Sequence, residues 1–218
     1  MKITKFEIKI CRESVLNLIN CHHDSKIYET VIKEYEEALE EVYKKLHPVA
    51  LLSFGMLGDL CPDQYELWGG EALFGITSVG DEISTWSSEL FATGDYLRGL
   101  LVDAMADDYL FQMDHQLAEP IILLCRQKKC GVSHRLEAPQ DISMAVQKTA
   151  LETTDGEALA GIRITESMMF NPVKTTCQVY LLDENPKHLR IVHDCSSCPN
   201  VNCKMRKTVV NITVDWGD

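Results

Sequence analysis

The chain reads EALFGITSVGDEISTWSSELFATG over residues 71–94, a stretch that joins a strand pattern to a helix pattern. Residues 71–79 are short, apolar and followed by Gly80, which predicts a buried β-strand. Asp81 then stands where the N-cap of a helix is expected, and Gly94 stands where that helix should stop. The stretch therefore indicates mixed α and β structure.

Helical periodicity flanks this stretch on both sides. Upstream, residues 26–46 place apolar side chains every three or four positions, which is typical of an amphipathic helix with a solvated acidic face. Downstream, the same spacing continues from Leu97 to Leu124, and Pro120 is expected to kink or interrupt that helix. Two long helices are thus predicted around the strand.

The second half of the chain is richer in strand patterns. We expect a helix starting near Pro139, and a turn at 183–186 that pairs two neighbouring strands as a hairpin. The predicted strands are residues 131–138, 162–170, 175–182, 189–193 and 208–214. Because they do not alternate regularly with helices, the sequence predicts an α+β fold with a mainly antiparallel sheet and flanking helices.

Composition and charge exclude several classes of protein. The chain has 218 residues, of which 45% are hydrophobic and 25% charged, as in ordinary globular proteins. Its formal net charge of −12 disfavours binding to nucleic acid and to anionic membranes. No apolar run is long enough for a membrane helix, and the N-terminus has no secretory pattern, so we expect a cytoplasmic protein.

The nine cysteines are better explained as thiols or metal ligands than as disulfides in such a protein. Cys195, Cys198 and Cys203 are spaced so that a turn could bring three thiolates to one zinc ion or iron–sulfur cluster. The fourth ligand would be Cys177, His193 or a substrate. Three reduced thiols in a surface loop are the alternative interpretation.

Several catalytic signatures are absent from the sequence. It has no GxxxxGK[ST] loop, no GxGxxG after a strand, no GxSxG and no HExxH. The residues alone therefore do not identify a nucleotide-hydrolysing, serine-hydrolase or zinc-protease site.

Three segments in order resemble the activation (reactivation) domain of vitamin B12-dependent methionine synthase and its stand-alone relatives. They are LFATGDYLRGLLVDAMAD (90–107), GVSHRLEAP (131–139) and ITESMMFNPVKTTCQVYLL (164–182). Some of those relatives share a CxxCxxxxCxxR segment, which corresponds here to Cys195–Arg206. The resemblance covers about residues 65–206, so we expect 1–64 to be an N-terminal helical extension and 65–218 an activation-domain-like region, within one continuous domain.

The resemblance implies a crescent-like α+β fold around a twisted antiparallel sheet. It also implies binding of S-adenosylmethionine and docking onto a cobalamin-binding domain or another corrinoid methyltransferase protein. There, S-adenosylmethionine and one electron restore methylcobalamin after accidental oxidation, and the chemistry belongs to the cofactor.

The resemblance also assigns the ligand-binding residues. Arg135 matches the arginine that pairs with the ligand carboxylate, Pro139 a loop proline, Glu166 part of the T-E-S strand, and Tyr180 an aromatic residue of the next strand. The Gly-Tyr pair that follows the loop proline in the family is replaced here by Gln140 and Asp141. The residues and the resemblance together leave three functions open: an accessory protein of corrinoid reactivation, an iron–sulfur or zinc redox module acting on a corrinoid protein, and a non-catalytic partner-binding protein.

Overall fold

The computed structural model describes residues 1–193, 195, 198 and 200–206. The helices are α1 (Arg12–Leu18), α2 (Tyr28–Lys45), α3 (Glu82–Thr93), α4 (Tyr96–Gln116), α5 (Ala118–Lys128), α6 (Val146–Thr154) and α7 (Gly156–Ala160). The strands are β1 (Lys2–Ile3), β2 (Val49–Met56), β3 (Glu71–Ser78), β4 (Gly131–Glu137), β5 (Arg163–Ile164), β6 (Phe170–Asn171) and β7 (Thr175–Asp183).

The strands form one larger sheet with the order β1-β2-β3-β7-β4, and β5 pairs with β6. Every neighbouring pair of strands is antiparallel. The predicted α+β class with a mainly antiparallel sheet is therefore confirmed.

The sheet is covered on both faces, because strand side chains alternate in direction. On one face Leu73 and Tyr180 pack with Ile121 of α5. On the other face Phe74 and Val179 pack with α6, through Val146 and Ala150 among others. Both faces of the central strands are thus buried.

A β-bulge in β4 decides which side chains meet the helices. The register with β7 shifts between Val132 and His134. Val132 and Leu136 therefore lie on opposite faces, although residues four positions apart share a face in a regular strand. Beyond the bulge Arg135 pairs with Tyr180. The bulge therefore places Arg135 on the face that α4 and α5 cover.

Helices α1 to α4 pack around an apolar core of their own, which we call the helical cluster. Val31 and Val42 of α2 meet Leu101 and Met105 of α4 there, and all four side chains are fully buried. The apolar stripes predicted for both helices therefore supply the contacts that stabilise the helical cluster.

The predicted long helix is divided in two, at a position other than the one expected. α4 ends at Gln116 and α5 begins at Ala118, so the break lies at Leu117 and not at Pro120. Pro120 lies in the first turn of α5, where a missing N–H costs no helical hydrogen bond.

Two predictions at the end of β4 and β7 are wrong. The helix expected near Pro139 begins at Val146, because Asp141 N donates to Glu137 O and closes a turn first. Residues 189–193 do not pair with 175–182; β7 is bonded to β3 and β4 instead, and Leu189 forms a parallel bridge to Val132.

Two other strand predictions also need correction. The expected strand 162–170 is two short strands, β5 and β6, joined by a turn. Strand β2 was not predicted at all. Its first four residues are all buried, so the segment lacks the alternation that marks a half-exposed strand.

The larger sheet crosses the predicted boundary at residue 64, because β1 and β2 pair with each other and β2 pairs with β3. The residues before this boundary thus contribute strands as well as helices. The strand expected at 208–214 lies outside the described residues. No helix in the described part is both long and apolar enough to span a lipid bilayer.

Candidate functional site

A cavity of about 200 Å³ lies beside the end of β4, and we call it the β4 cavity. It is lined by Tyr65, His134, Arg135, Glu137, Gln140, Asp141, Arg190, Val192, His193 and Cys198. It brings together Arg135 and Cys198, which the sequence assigned to two different kinds of site.

Hydrogen bonds to β4 hold the far wall of this cavity. Val132 N donates to His188 O at 2.7 Å, and Arg190 N donates to Val132 O at 3.1 Å. A Cβ atom on Gly131 would collide with the backbone carbonyls of Asn185 and His188. Glycine at this position therefore lets the segment that carries Arg190 and His193 approach the strand.

A chain of ion pairs runs along the cavity floor. The Arg135 side chain is 8% exposed; its Nη1 lies 2.8 Å from Asp114 Oδ2 and its Nη2 lies 2.6 Å from Glu137 Oε1. The same Glu137 oxygen lies 3.2 Å from His193 Nδ1. Asp114, Arg135, Glu137 and His193 thus form one continuous network from α4 to the cavity.

This network changes the acidity of its members. Burial alone would raise the pKa of Glu137, but the contacts with His193 and Arg135 lower it to about 2. The hydrogen bond to Glu137 raises the pKa of His193 to about 9. Burial opposes the charged form of Arg135, yet Asp114, Tyr180 and Glu137 raise its pKa. All three groups are therefore ionised near neutral pH.

Some buried polar atoms around the cavity have no hydrogen-bond partner among the described residues. Arg135 Nε and His134 Nδ1 belong to residues that line the cavity, whereas Asp114 Oδ1 and the Tyr180 hydroxyl belong to residues outside its lining. His134 also packs against Tyr65, with ring centroids 4.7 Å apart. The cavity therefore combines an aromatic wall with unsatisfied polar atoms, a composition that suits a small polar ligand.

The thiol of Cys198 faces the same cavity. Gln140 Nε2 lies 3.8 Å from its Sγ. The backbone N–H of Asn200 lowers the pKa of Cys198; His193 and Gln140 lower it further and partial burial opposes them. Arg206 donates to the carbonyl oxygens of Cys195, Cys198 and Asn200, and so holds the cysteine segment together.

Of the four predicted ligand residues, one lines the β4 cavity and the other three lie outside its lining. Arg135 lines the cavity, while Tyr180 is fully buried opposite it on β7. Pro139 is exposed in the turn after β4, and Glu166 is exposed between β5 and β6; neither lines the cavity. That these four residues contact a ligand stays a prediction.

The metal hypothesis also stays a prediction. Within residues 1–193, 195, 198 and 200–206, no group of three or more His, Cys, Asp and Glu side chains is arranged to hold a metal ion. Cys177 lies on β7, and burial raises the pKa of its thiol to about 12.

The sequence reasoning missed Asp114, Glu137, Asp141 and Arg190 as site residues. Asp114 carried a signal, because it lies three residues before Leu117 and one after Met113, both of them fully buried. An acid that is buried beside the apolar stripe of a helix requires a partner. The other three depend on the bulge and on the turn after β4, which the sequence did not reveal.

Comparison with known proteins shows a likeness of fold. No family model and no curated protein matches the chain. A solved structure described as "Crystal Structure of the MetH Reactivation Domain bound to AdoHcy" is similar, with a TM-score of 0.52 and 15% sequence identity. The match covers 75% of this chain and 68% of the other. The chain therefore has a fold related to that of the MetH reactivation domain.

Proposed function

We propose that this protein binds an S-adenosyl ligand in the β4 cavity and acts as an accessory protein of corrinoid methyl transfer. One observation carries the proposal. In a fold similar to a reactivation domain bound to AdoHcy, a cavity lies at Arg135, where the sequence resemblance places the ligand.

The lining of the cavity supports this ligand class. The rings of Tyr65 and His134, in contact at an interplanar angle of 50°, offer an apolar surface, and His134 Nδ1 is a buried polar atom without a partner in the described part. Apolar walls with a few fixed polar groups are the usual composition of small-molecule sites.

The size of the cavity limits how the ligand binds. Pockets that bury whole drug-sized ligands measure roughly 300–1,000 Å³. The β4 cavity, at about 200 Å³, accommodates one end of an S-adenosyl ligand. The remaining part would extend past the exposed rim at Gln140 and Arg190, where a partner protein could contact it.

The ion-pair network is proposed to position the cavity. Arg135 joins β4 to α4 through Asp114, and Glu137 holds His193 on the opposite wall. When bound, S-adenosylmethionine would supply the methyl group, and the corrinoid would belong to the partner, a cobalamin-binding domain or a corrinoid methyltransferase protein. The residues of this chain would hold the sulfonium ligand and exclude water from its buried end.

Isothermal titration calorimetry with S-adenosylmethionine and S-adenosylhomocysteine tests the proposal. We expect saturable one-to-one binding, weakened by His134→Ala and unchanged by Arg163→Met, a substitution at an exposed arginine outside the cavity. ATP serves as the control nucleotide. Absence of saturable heat with both ligands, alone and with an isolated cobalamin-binding domain of methionine synthase present, would overturn the proposal.

A further inference from the structure

Some of the charged side chains that line the β4 cavity have no ion-pair partner among the described residues. Arg135 is matched by Asp114 and Glu137, and Glu137 is matched again by His193. Two further charged side chains line the cavity, Arg190 and Asp141. Among the described residues neither of these two forms an ion pair.

Arg190 is held at the cavity by its backbone. Its N–H donates to Val132 O, next to the bulge of β4, while its side chain is exposed. The positive charge of Arg190 adds to burial in lowering the pKa of His134, which lines the same cavity. The guanidinium therefore acts on the interior of the cavity.

Asp141 is fixed on another wall of the cavity. Its Oδ2 accepts a hydrogen bond from Glu137 N at 3.0 Å, and its N–H donates to Glu137 O at 2.8 Å. This turn holds the carboxylate at the end of β4. The cavity thus presents one unpaired cation and one unpaired anion, both on anchored backbone.

We propose that Arg190 and Asp141 recognise the zwitterionic amino-acid end of the S-adenosyl ligand, with Arg190 binding its carboxylate and Asp141 its ammonium group. This inference rests on the proposed function and names the residues that bind the charged end of the ligand. An α-amino acid carries one unit of each charge, which matches the two unpaired groups of the cavity. A guanidinium binds a carboxylate through two parallel hydrogen bonds.

Arg135 is poorly suited to the same role. Its side chain is 8% exposed, and both of its Nη atoms already contact carboxylates. Turning it toward a ligand would leave Asp114 buried without a cation, which is strongly unfavourable. Arg190 can bind an anion without breaking any ion pair of the described part.

A set of three ligands tests the assignment on the full chain by calorimetry. S-adenosylhomocysteine has both the carboxylate and the amine, its decarboxylated analogue has the amine alone, and 5′-methylthioadenosine has neither. We expect Arg190→Met to weaken binding of S-adenosylhomocysteine about 10- to 100-fold, as for loss of a hydrogen bond between charged groups, and to leave the other two unchanged. Asp141→Asn should weaken the first two ligands and spare 5′-methylthioadenosine.

Controls separate recognition from folding. Arg190→Lys keeps the charge without the paired geometry and should give an intermediate affinity, and the thermal unfolding midpoint of Arg190→Met should match that of the wild type. Unchanged affinity of Arg190→Met for S-adenosylhomocysteine, or equal weakening for all three ligands, would overturn the inference while leaving the proposed function standing. Failure of the wild type to bind any of the three would overturn both.

Discussion

Helix α4 carries two largely buried acids, Asp108 near the helical cluster and Asp114 in the ion-pair network of the β4 cavity, and their partners differ in charge. Asp108, 1% exposed, accepts hydrogen bonds from Cys11 N at 2.8 Å and Gln112 Nε2 at 2.7 Å, which are neutral donors. Asp114, six residues later, is paired with the cation Arg135 at 2.8 Å.

The difference in partner distinguishes a buried acid that joins structural elements from a buried acid that helps to position a site. Asp108 satisfies a backbone N–H at the start of α1, so it joins two elements and needs no charge on its partner. Asp114 belongs to a network of ionised groups that ends at a cavity. Buried ion pairs are weak sources of stability, so retaining one beside a cavity points to positioning.

The largest expected effect is the loss of the central cation of that network. Arg135→Met leaves Asp114 without its cation and Glu137 with His193 alone, and breaking a buried pair in this way costs about 3–5 kcal/mol. The matched variant is Arg98→Met near the helical cluster, where the half-exposed pairs with Glu34 and Glu37 should contribute about 0–1 kcal/mol. Urea denaturation measures both, and equal losses would remove the distinction between the two regions.

A glycine-to-alanine substitution in each of the two regions has the next largest expected effect on stability. Gly131→Ala forces a Cβ against the carbonyls of Asn185 and His188, and overpacking of this kind costs about 1–3 kcal/mol. Gly99→Ala in α4 meets Phe91, which is 38% exposed and free to shift, while alanine favours the helix by about 1 kcal/mol.

We therefore expect Gly131→Ala to be destabilised and Gly99→Ala to be neutral or stabilised, as measured by thermal unfolding. Gly131→Ala should also weaken ligand binding, because it displaces the segment that carries Arg190. Destabilisation by Gly99→Ala as large as that by Gly131→Ala would contradict the packing difference.

The same two regions show how much the sequence could reveal. Helices α2 and α4 were predictable because each carries a continuous apolar stripe, and the helical cluster is built from those stripes. Strand β3 was predictable from its short apolar run before Gly80. Local periodicity therefore accounts for the helical half of the fold.

The cavity was less predictable because it depends on non-local geometry. A bulge reverses the faces of β4, and Leu189 bridges to Val132 in parallel instead of returning along β7. Neither feature has a local signal in one sequence. Arg135 was found through resemblance, whereas its partner Asp114 on α4 emerged only from the tertiary contacts.

The two regions should respond to acid with opposite signs. The pKa of Glu137 is lowered from 4.5 to about 2, so its stabilising contribution is present above pH 4.5 and is lost as the pH falls toward 2. Burial raises the pKa of Asp108, so the folded state holds that proton more tightly, and its contribution grows as the pH falls.

The free energy of unfolding of the wild type, minus that of each variant, isolates the two groups. The difference in free energy of unfolding between the wild type and Glu137→Gln should decrease by about 1–2 kcal/mol on acidification. This value is reduced for solvent screening, because the Glu137 side chain is a third exposed. The difference from Asp108→Asn should increase. Urea titrations between about pH 5 and pH 3 measure both, and changes of the same sign in the two differences would refute the contrast.

The smallest effect concerns the reactivity of thiols and is kinetic. Asn200 N–H and His193 lower the pKa of Cys198 at the cavity, whereas burial raises the pKa of Cys125 to about 12 beneath the sheet. Because the thiolate is the nucleophile, iodoacetamide near neutral pH should modify Cys198 first and should reach Cys125 only on unfolding. Timed alkylation followed by peptide mass spectrometry measures both rates.

His193→Gln sharpens this comparison. It removes the imidazolium that stabilises the Cys198 thiolate but leaves the Asn200 N–H, which is the larger contribution, so alkylation should slow several-fold without stopping. A bound ligand in the β4 cavity should slow the same reaction by covering the thiol, since Cys198 lines that cavity. Protection of Cys198 by S-adenosylhomocysteine but not by ATP would show that the thiol lies at the proposed site. An alkylation rate that neither ligand changes would show that the thiol lies outside that site.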